Sequence, residues 1–206
     1  QISLQIQPDL FARYVAGKTI AKAINATLVI NTLKLPRTDE KWNMADAAID
    51  ATLAMSDVQL PGREGGESMV LSQPSITIKS PRLADNLAIA GSTGINQLIG
   101  DILGHDVSWQ LLFKPDAPFD PSALSGAFAL RPKTPNMAGA LAGTYDGYQV
   151  VLAKDSNISL TITPQIASQL LPEPQEGAAP MGLAQPVAVK VTFNSATIPL
   201  EDVAAS

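Results

Sequence analysis

The chain contains no cysteine, and only one of its 206 residues is histidine. The absence of cysteine excludes disulfides, thiolate metal sites and cysteine nucleophiles. The single histidine, His105, leaves few ways to build a nucleophile and base pair, and its place after Gly104 favours a role at a helix end or in a loop. We therefore predict no catalytic residues, no cofactor site and no metal site, and we expect that the chain is not an enzyme.

Basic residues are also few, since 14 lysines and arginines stand against 19 acidic residues and give a net charge of −5. They form no cluster along the sequence, so we expect no nucleic-acid partner. Charged residues make up 16% of the chain, which is low for a globular protein, and hydrophobic residues make up 46%. No uninterrupted apolar run approaches the roughly 20 residues of a membrane-spanning helix.

The N-terminus shows no signal peptide, because Gln1 directly precedes the alternating residues of a strand rather than a basic region and an apolar run. The sequence also begins without methionine. We therefore expect a processed product or a piece of a longer chain.

A strand followed by a helix is predicted twice. Residues 2–8 read ISLQIQP and residues 158–164 read ISLTITP, with apolar residues at every second position. Such alternation predicts a strand with one buried face, and the proline predicts the first residue of a helix. Thr163 is a favourable N-cap for the second helix. The apolar residues behind the two prolines share one helical face: Leu10, Phe11, Tyr14 and Val15, then Ile166, Ala167, Leu170 and Leu171.

The likeness continues in a second strand of each copy. Residues 24–36 read INATLVINTLKLP and residues 187–199 read VAVKVTFNSATIP. In both, the apolar residues change from one strand face to the other at an asparagine, Asn31 or Asn194. A third change of this kind falls at Ser56 and Asp57. Such a change requires a bulge or a bend, so we predict one at each of the three places.

These copies predict the domain organisation. Residues 1–157 form a first repeat unit, and residues 158–206 begin a second that packs on the first. The first strands lie 156 positions apart and the second strands 163 apart (158 − 2 and 194 − 31), so the second copy has seven more residues in its proline- and glycine-rich connection. The alternative is a chance similarity between two amphipathic segments.

Between the copies, the pattern indicates further strands and one helix. Ile95, Leu98, Ile99, Ile102 and Leu103 follow helical spacing, which predicts an amphipathic helix over 94–103 that Ser92 or Thr93 caps. Strands clearly outnumber helices, and no regular alternation of strand and helix appears. The fold class is therefore mainly β with a few short helices (α+β), with bent, mostly antiparallel sheets that form a groove, a sandwich or an open barrel.

The repeated module over 2–15 with 24–36, and over 158–171 with 187–199, resembles the AsmA-like proteins of bacteria that have an outer membrane. Their repeats are built as long β-grooves. The resemblance implies a periplasmic or cell-envelope protein with an apolar groove that binds or transfers lipid, or that assists membrane assembly. Its implied partners are phospholipid or a membrane and the neighbouring repeats of a longer chain. The given sequence departs from the family's pattern in being short and in showing no segment that matches the family's N-terminal anchor helix.

Trp109, Leu111 and Phe113 stand at every second position of one predicted strand and carry its largest apolar side chains. In a lipid-binding groove they would line the apolar face, whereas in a closed protein they would form a dry core. Three functions stay open at this point. They are a lipid-binding envelope module, a structural or adhesive repeat module with a closed hydrophobic core, and a non-catalytic part of an envelope enzyme.

Overall fold

A computed structural model of the chain describes residues 1–9, 20, 22–60, 68–96, 102–170 and 182–200. It is 62% strand and 7% helix, with one large antiparallel sheet that is open at its ends. This confirms the predicted fold class. The strands are β1 Ile2–Ile6, β2 Ile24–Lys34, β3 Arg37–Thr38, β4 Lys41–Trp42, β5 Ala48–Met55, β6 Val58–Leu60, β7 Met69–Ser80, β8 Leu87–Ile95, β9 Asp106–Pro115, β10 Gly126–Lys133, β11 Met137–Tyr145, β12 Gln149–Leu152, β13 Ser156–Ile162, β14 Val187–Phe193 and β15 Ala196–Pro199.

The centre of the large sheet is a meander in which β5, β7, β8, β9, β10 and β11 pair in that order, each antiparallel to the next. At one end, β5 is followed by β2 and then β1. At the other end, one half of β11 pairs with β13 and the other half with β12. Strand β13 in turn pairs with β14, and β12 pairs with β15. Because most neighbours in the sheet are also neighbours in sequence, short turns suffice to connect them.

The bulge predicted at Asn31 and the bend predicted at Asn194 are confirmed, and the strand is interrupted at the third place. The β2–β5 register shifts between Ile30 and Thr32, which leaves Asn31 as the extra residue of a bulge. Strand β5 ends at Met55 and β6 begins at Val58, so Ser56 and Asp57 separate two strands that both pair with β7. In the same way, Asn194 and Ser195 separate β14 from β15. The bulge at Asn31 lets the apolar residues on both sides of it lie on one sheet face.

One α-helix, α1, is described over Pro164–Leu170, and a 3₁₀ helix over Met44–Asp46. The hydroxyl of Thr163 accepts the backbone N–H of Ile166 at 3.2 Å, as expected of the N-cap. Ile166 and Ala167 are buried, which confirms the start of the predicted apolar face. Of the first predicted helix, Pro8 and Asp9 are helical and residues 10–19 lie outside the described residues.

The helix predicted over 94–103 is wrong at its start. Gly94 and Ile95 are the last residues of β8, where Gly94 lies opposite Asp106 and Ile95 opposite Leu71. Ser92 and Thr93 therefore lie inside a strand rather than at a helix cap. The ladder supplies hydrogen bonds on both sides of β8, and these outweigh the helical spacing of the side chains. Ile102 and Leu103 are helical, and residues 97–101 lie outside the described residues.

The two predicted copies form hairpins with the same register. In the first, Ile2 lies opposite Leu28 and Ile6 opposite Ile24. In the second, the matching residues of β13 and β14 are opposite each other in the same way, with Ile158 facing Val191 and Ile162 facing Val187. The positional match along the sequence is thus also a match in pairing. The division of the chain into repeat units stays a prediction that this agreement supports.

The hydrophobic core cluster lies beside the first hairpin. It consists of Ile20, Ile24 and Val58, which are 4%, 2% and 6% exposed. Four partly buried residues pack around it: Ile6, Met55, Leu60 and Leu71. Strands β5 and β6 therefore cover the first hairpin from the side of β2.

Candidate functional site: an apolar face of the sheet

The candidate site is one face of the central strands, where apolar side chains form rows across the sheet. Ile89 of β8 lies opposite Leu111 of β9, which lies opposite Leu130 of β10. Leu130 in turn lies opposite Leu141 of β11. Directly paired residues point to the same side of a sheet, so these four side chains form a continuous row.

A second row runs beside the first, two residues along each strand. Leu87 lies opposite Phe113, Phe113 opposite Phe128, and Phe128 opposite Gly143. Gly143 is paired with Leu152 of β12, which ends the row. Since side chains in strands alternate between faces, both rows share one face of the sheet.

These rows border an open cavity of about 470 Å³. The described residues that form its walls are apolar, apart from one tyrosine. They are Leu87, Ile89, Leu111, Phe113, Leu124, Phe128, Leu130, Leu141, Tyr145, Val150, Leu152 and Ile198. Leu124 comes from the loop between β9 and β10, so that loop forms one wall of the cavity.

Glycines on this face give space to aromatic rings from neighbouring strands. A Cβ at Gly143 would lie 3.0 Å from Cε1 of Phe128. A Cβ at Gly91 would lie 2.5 Å from Nε1 of Trp109, so the indole covers that glycine. The large rings are thus accommodated by the absence of a side chain opposite them, which lets them lie close to the sheet.

The opposite face of the same strands is small and polar. Its residues include Ala88, Ala90, Gln110, Ala129 and Arg131, which alternate with the two apolar rows. The exception is Leu112, which is 51% exposed. A hollow of about 450 Å³ lies mainly on this face, and Arg131 borders both it and a hollow of about 460 Å³ that Gly91 and Trp109 also line. The sheet is therefore amphipathic, with its apolar cavity on one side only.

The residues predicted to line a groove lie on the apolar face. Leu111 and Phe113 border the cavity, whereas Trp109 lies farther along β9 and packs on Gly91. The prediction did not include the partners from the other strands. The spacing of Leu87 and Ile89, and of Phe128 and Leu130, by two residues was the signal in the sequence for these partners. Leu141 stands among small residues, Ala140 and Ala142, and no pattern in that segment marked it.

His105 lies outside the apolar cavity and is exposed. Its Nδ1 is 2.9 Å from the carbonyl oxygen of Ile95, and its own carbonyl accepts the N–H of Ile95 at 2.7 Å. It therefore extends the pairing of β8 with β9. Among the described residues, no three or more histidine, aspartate or glutamate side chains come together as metal ligands would.

The shifted pKa values belong to exposed turns and ion pairs. Hydrogen bonds from Ser122 lower the pKa of Asp120, and hydrogen bonds from the Tyr148 and Gln149 N–H groups lower that of Asp146. The hydrogen bond to Asp46 raises the pKa of Arg82. In each case the shift has a local structural cause, namely a bond that holds a turn or a loop in place.

No helix among the described residues is both long enough and apolar enough to cross a membrane. No protein-family model, curated protein or solved structure matches the chain.

Proposed function

We propose that the chain is a non-enzymatic module of a bacterial envelope protein and that its apolar sheet face binds the acyl chains of lipid. The observation that carries this proposal is the cavity of about 470 Å³, whose walls come from two rows of leucine, isoleucine and phenylalanine. The resemblance of the repeated segments to AsmA-like proteins supports the periplasm or envelope as the location, and phospholipid or a membrane as the partner.

The chemistry of the cavity suits an acyl chain better than a polar ligand. A ligand bound there meets side chains that offer no hydrogen bonds, apart from the hydroxyl of Tyr145. A polar group placed in such a site would lose its bonds to water without replacement. Each methylene transferred from water to apolar surroundings contributes about 0.8 kcal/mol, so about ten methylenes would supply several kcal/mol.

The two-sided character of the sheet also supports this function. Polar and small residues on the opposite face keep that face compatible with water, while the apolar rows need a cover. A lipid tail would supply that cover in the cavity and remain removable. A carrier or an assembly factor requires both properties, because it must take up lipid and release it.

The test is direct. The purified protein is extracted with organic solvent and the extract is analysed by mass spectrometry, and binding of fluorescently labelled palmitate is then titrated. We expect co-purified lipid, and we expect Leu111→Gln to weaken palmitate binding about tenfold or more, since it places an amide in the apolar row. Leu112→Gln is the matched control, because it makes the same change one residue away on the opposite face.

Two results would count against lipid binding. The first is an extract without lipid together with no palmitate binding, which would favour a structural or adhesive module with a closed core. The second is equal palmitate binding by the Leu111→Gln and Leu112→Gln proteins, which would show that the probe binds elsewhere. A non-catalytic part of an envelope enzyme remains the third function, and binding of a second protein chain rather than lipid would support it.

A further inference from the structure

The two hairpins have the same register but different neighbours. In the first hairpin, β2 pairs with β1 through one edge and with β5 through the other. In the second hairpin, β14 pairs with β13, and no described strand pairs with its other edge. We propose that this outer edge of β14 and β15 binds one antiparallel β-strand whose apolar residues alternate as in β5, Ala48–Met55.

The exposed fractions of matching residues in β2 and β14 indicate that β14 lacks, among the described strands, a neighbour that β2 has. Ile24 and Ala26 of β2 are 2% and 3% exposed. Their counterparts in β14, Val187 and Val189, are 43% and 42% exposed. The same hairpin position is thus buried where a strand lies beside it and open where none is described. A row of exposed valines on an unpaired edge is typical of a surface that accepts a strand.

The backbone of the first hairpin shows which peptide groups are available. The N–H of Asn25 donates to the hydroxyl of Ser56, and its C=O accepts the N–H of Ser56 at 2.8 Å. Both groups of Asn25 therefore point away from β1. Every second residue of an antiparallel strand is oriented alike. By the matched register, the N–H groups of Ala188, Lys190 and Thr192 point away from β13 and towards the open edge.

The register of the bound strand follows from β2 and β5. Leu28 lies opposite Leu53, and Ala26 lies opposite Met55. In the second hairpin, Val191 takes the place of Leu28 and Val189 that of Ala26. The residue of the bound strand that corresponds to Leu53 should therefore lie opposite Val191. The bend at Asn194 and Ser195 corresponds to the bulge at Asn31, so the same strand can continue along β15.

A second copy of the chain does not supply such a strand from its folded state. Its own β5 is paired on both edges, with β2 and with β7. Among the described strands, β1 and β6 also have an unpaired edge. The counterpart of β1 in the second hairpin, β13, pairs with β11 on that side. By this match, the strand expected at the open edge of β1 resembles β11 and not β14. The partner is accordingly a separate extended segment with the β5 pattern.

Disulfide trapping tests the register. The chain has no cysteine, so Val191→Cys introduces the only thiol. A peptide with the sequence of residues 46–57 is made with cysteine at the position of Leu53, and a second peptide carries it at the position of Ala51. Opposite residues come within disulfide distance and diagonal ones generally do not. We expect the first peptide to be trapped at least several times faster than the second.

Hydrogen exchange shows whether the outer edge of β14 is covered by the peptide or by the chain itself. In the chain alone, we expect rapid exchange at the amides of Ala188, Lys190 and Thr192, and protection of Val189 and Val191. At a peptide concentration about ten times its Kd, exchange at the three outward amides should slow about tenfold. Protection of these amides without peptide would overturn the proposal, because the chain would then cover its own edge. Disulfide-linked dimers of the Val191→Cys protein would overturn it in favour of a second copy.

A proline variant tests the edge without altering the cavity. Lys190→Pro removes one outward N–H and leaves the pairing with β13 intact, since proline is tolerated on an open strand edge. We expect it to abolish peptide binding, whereas Lys190→Gln should bind as the unmodified chain does. Peptide binding that persists in Lys190→Pro, with circular dichroism unchanged, would overturn the proposal. Palmitate binding, which tests the apolar cavity, should be the same in both variants, so the two proposals fail separately.

Discussion

The indole ring of Trp109 lies against the backbone of Gly91 in the adjacent strand, where a Cβ would be 2.4 Å from its Cε2. The two residues are directly paired across β8 and β9. Glycine leaves no side chain at that position, and the ring occupies the free space. The pair thus protects a weak point of the central sheet with the largest side chain available.

This contact predicts that Gly91→Ala destabilises the protein by about 1–3 kcal/mol, because the methyl group forces the indole out of its position. Urea unfolding followed by circular dichroism measures the change. Gly182→Ala is the matched control, since nothing lies within 4 Å of a Cβ at that residue, and its effect should be small. Equal stability of the Gly91→Ala and Gly182→Ala proteins would contradict the packing of the indole on the glycine.

Ser156 lies beside the point in β11 where the paired strand changes from β13 to β12. Its hydroxyl donates to the carbonyl of Ala142 at 3.0 Å and accepts the N–H of Ala142 at 3.1 Å, and its side chain is buried. We expect Ser156→Ala to lower the free energy of unfolding by about 1–3 kcal/mol, since that N–H loses its acceptor. Ser159→Ala, on the same strand, should change it by less than about 0.5 kcal/mol. Similar losses in both variants would show that the hydroxyl bridge does not matter.

The turn between β11 and β12 predicts a defined pH dependence. Asp146 accepts N–H groups from Tyr148 at 3.0 Å and from Gln149 at 2.9 Å, and these bonds hold the pKa of its carboxyl below the ordinary 3.8. Because the folded pKa is the lower one, the ionised carboxylate stabilises the folded chain fully above pH ~4. That contribution is lost as the pH falls through the folded pKa. The stability difference between the unmodified chain and Asp146→Asn should therefore stay constant from pH ~7 to ~5 and shrink below ~4.

Urea unfolding at each pH measures that difference, and an NMR titration of the Asp146 carboxyl gives its pKa independently. A difference that grows as the pH falls would contradict the assigned sign.

The sequence predicted the bends and the repeated hairpins because both leave a local mark. At Asn31, one additional residue moves every later side chain to the other face, so the alternation itself changes visibly. The proline at 164 and the capping hydroxyl of Thr163 likewise specify a helix start without any distant contact. Features of this kind depend on neighbours in sequence, and a single chain contains them in full.

Features that depend on distant pairing were missed or misplaced. Gly94 and Ile95 fit the helical spacing of the residues after them, yet strands on either side hold them in β8. A proline ordinarily interrupts a strand, yet β7 runs through Pro74 from Met69 to Ser80 with a register shift between Ser72 and Ser75. The bulge there accommodates the missing N–H of the proline inside the strand. The residues near Gly94 and Pro74 in the sequence do not indicate that both lie inside strands.

The apolar face of a single strand could be predicted from the sequence. The set of strands that together form the cavity could not. The alternation of Trp109, Leu111 and Phe113 predicted that their side chains share one face of a strand. Which other strands lie beside it is decided by the sheet order, which brings Leu141 next to Leu130. A cavity made by several strands is therefore visible only once the register is known, because each strand contributes only a few of its side chains.

A comparison of matched residues tests how the two hairpins are covered. Ile24 and Val187 occupy the same position, but Ile24 is 2% exposed beside Ile20 and Val58, and Val187 is 43% exposed. We expect Ile24→Ala to reduce the free energy of unfolding by about 2–5 kcal/mol, because it leaves a space in the core cluster. Val187→Ala should reduce it by less than about 1 kcal/mol, since little apolar surface is buried there. Urea unfolding of both variants gives the two values, and a loss at Val187 as large as that at Ile24 would mean that β14 is covered in solution, which contradicts an open edge.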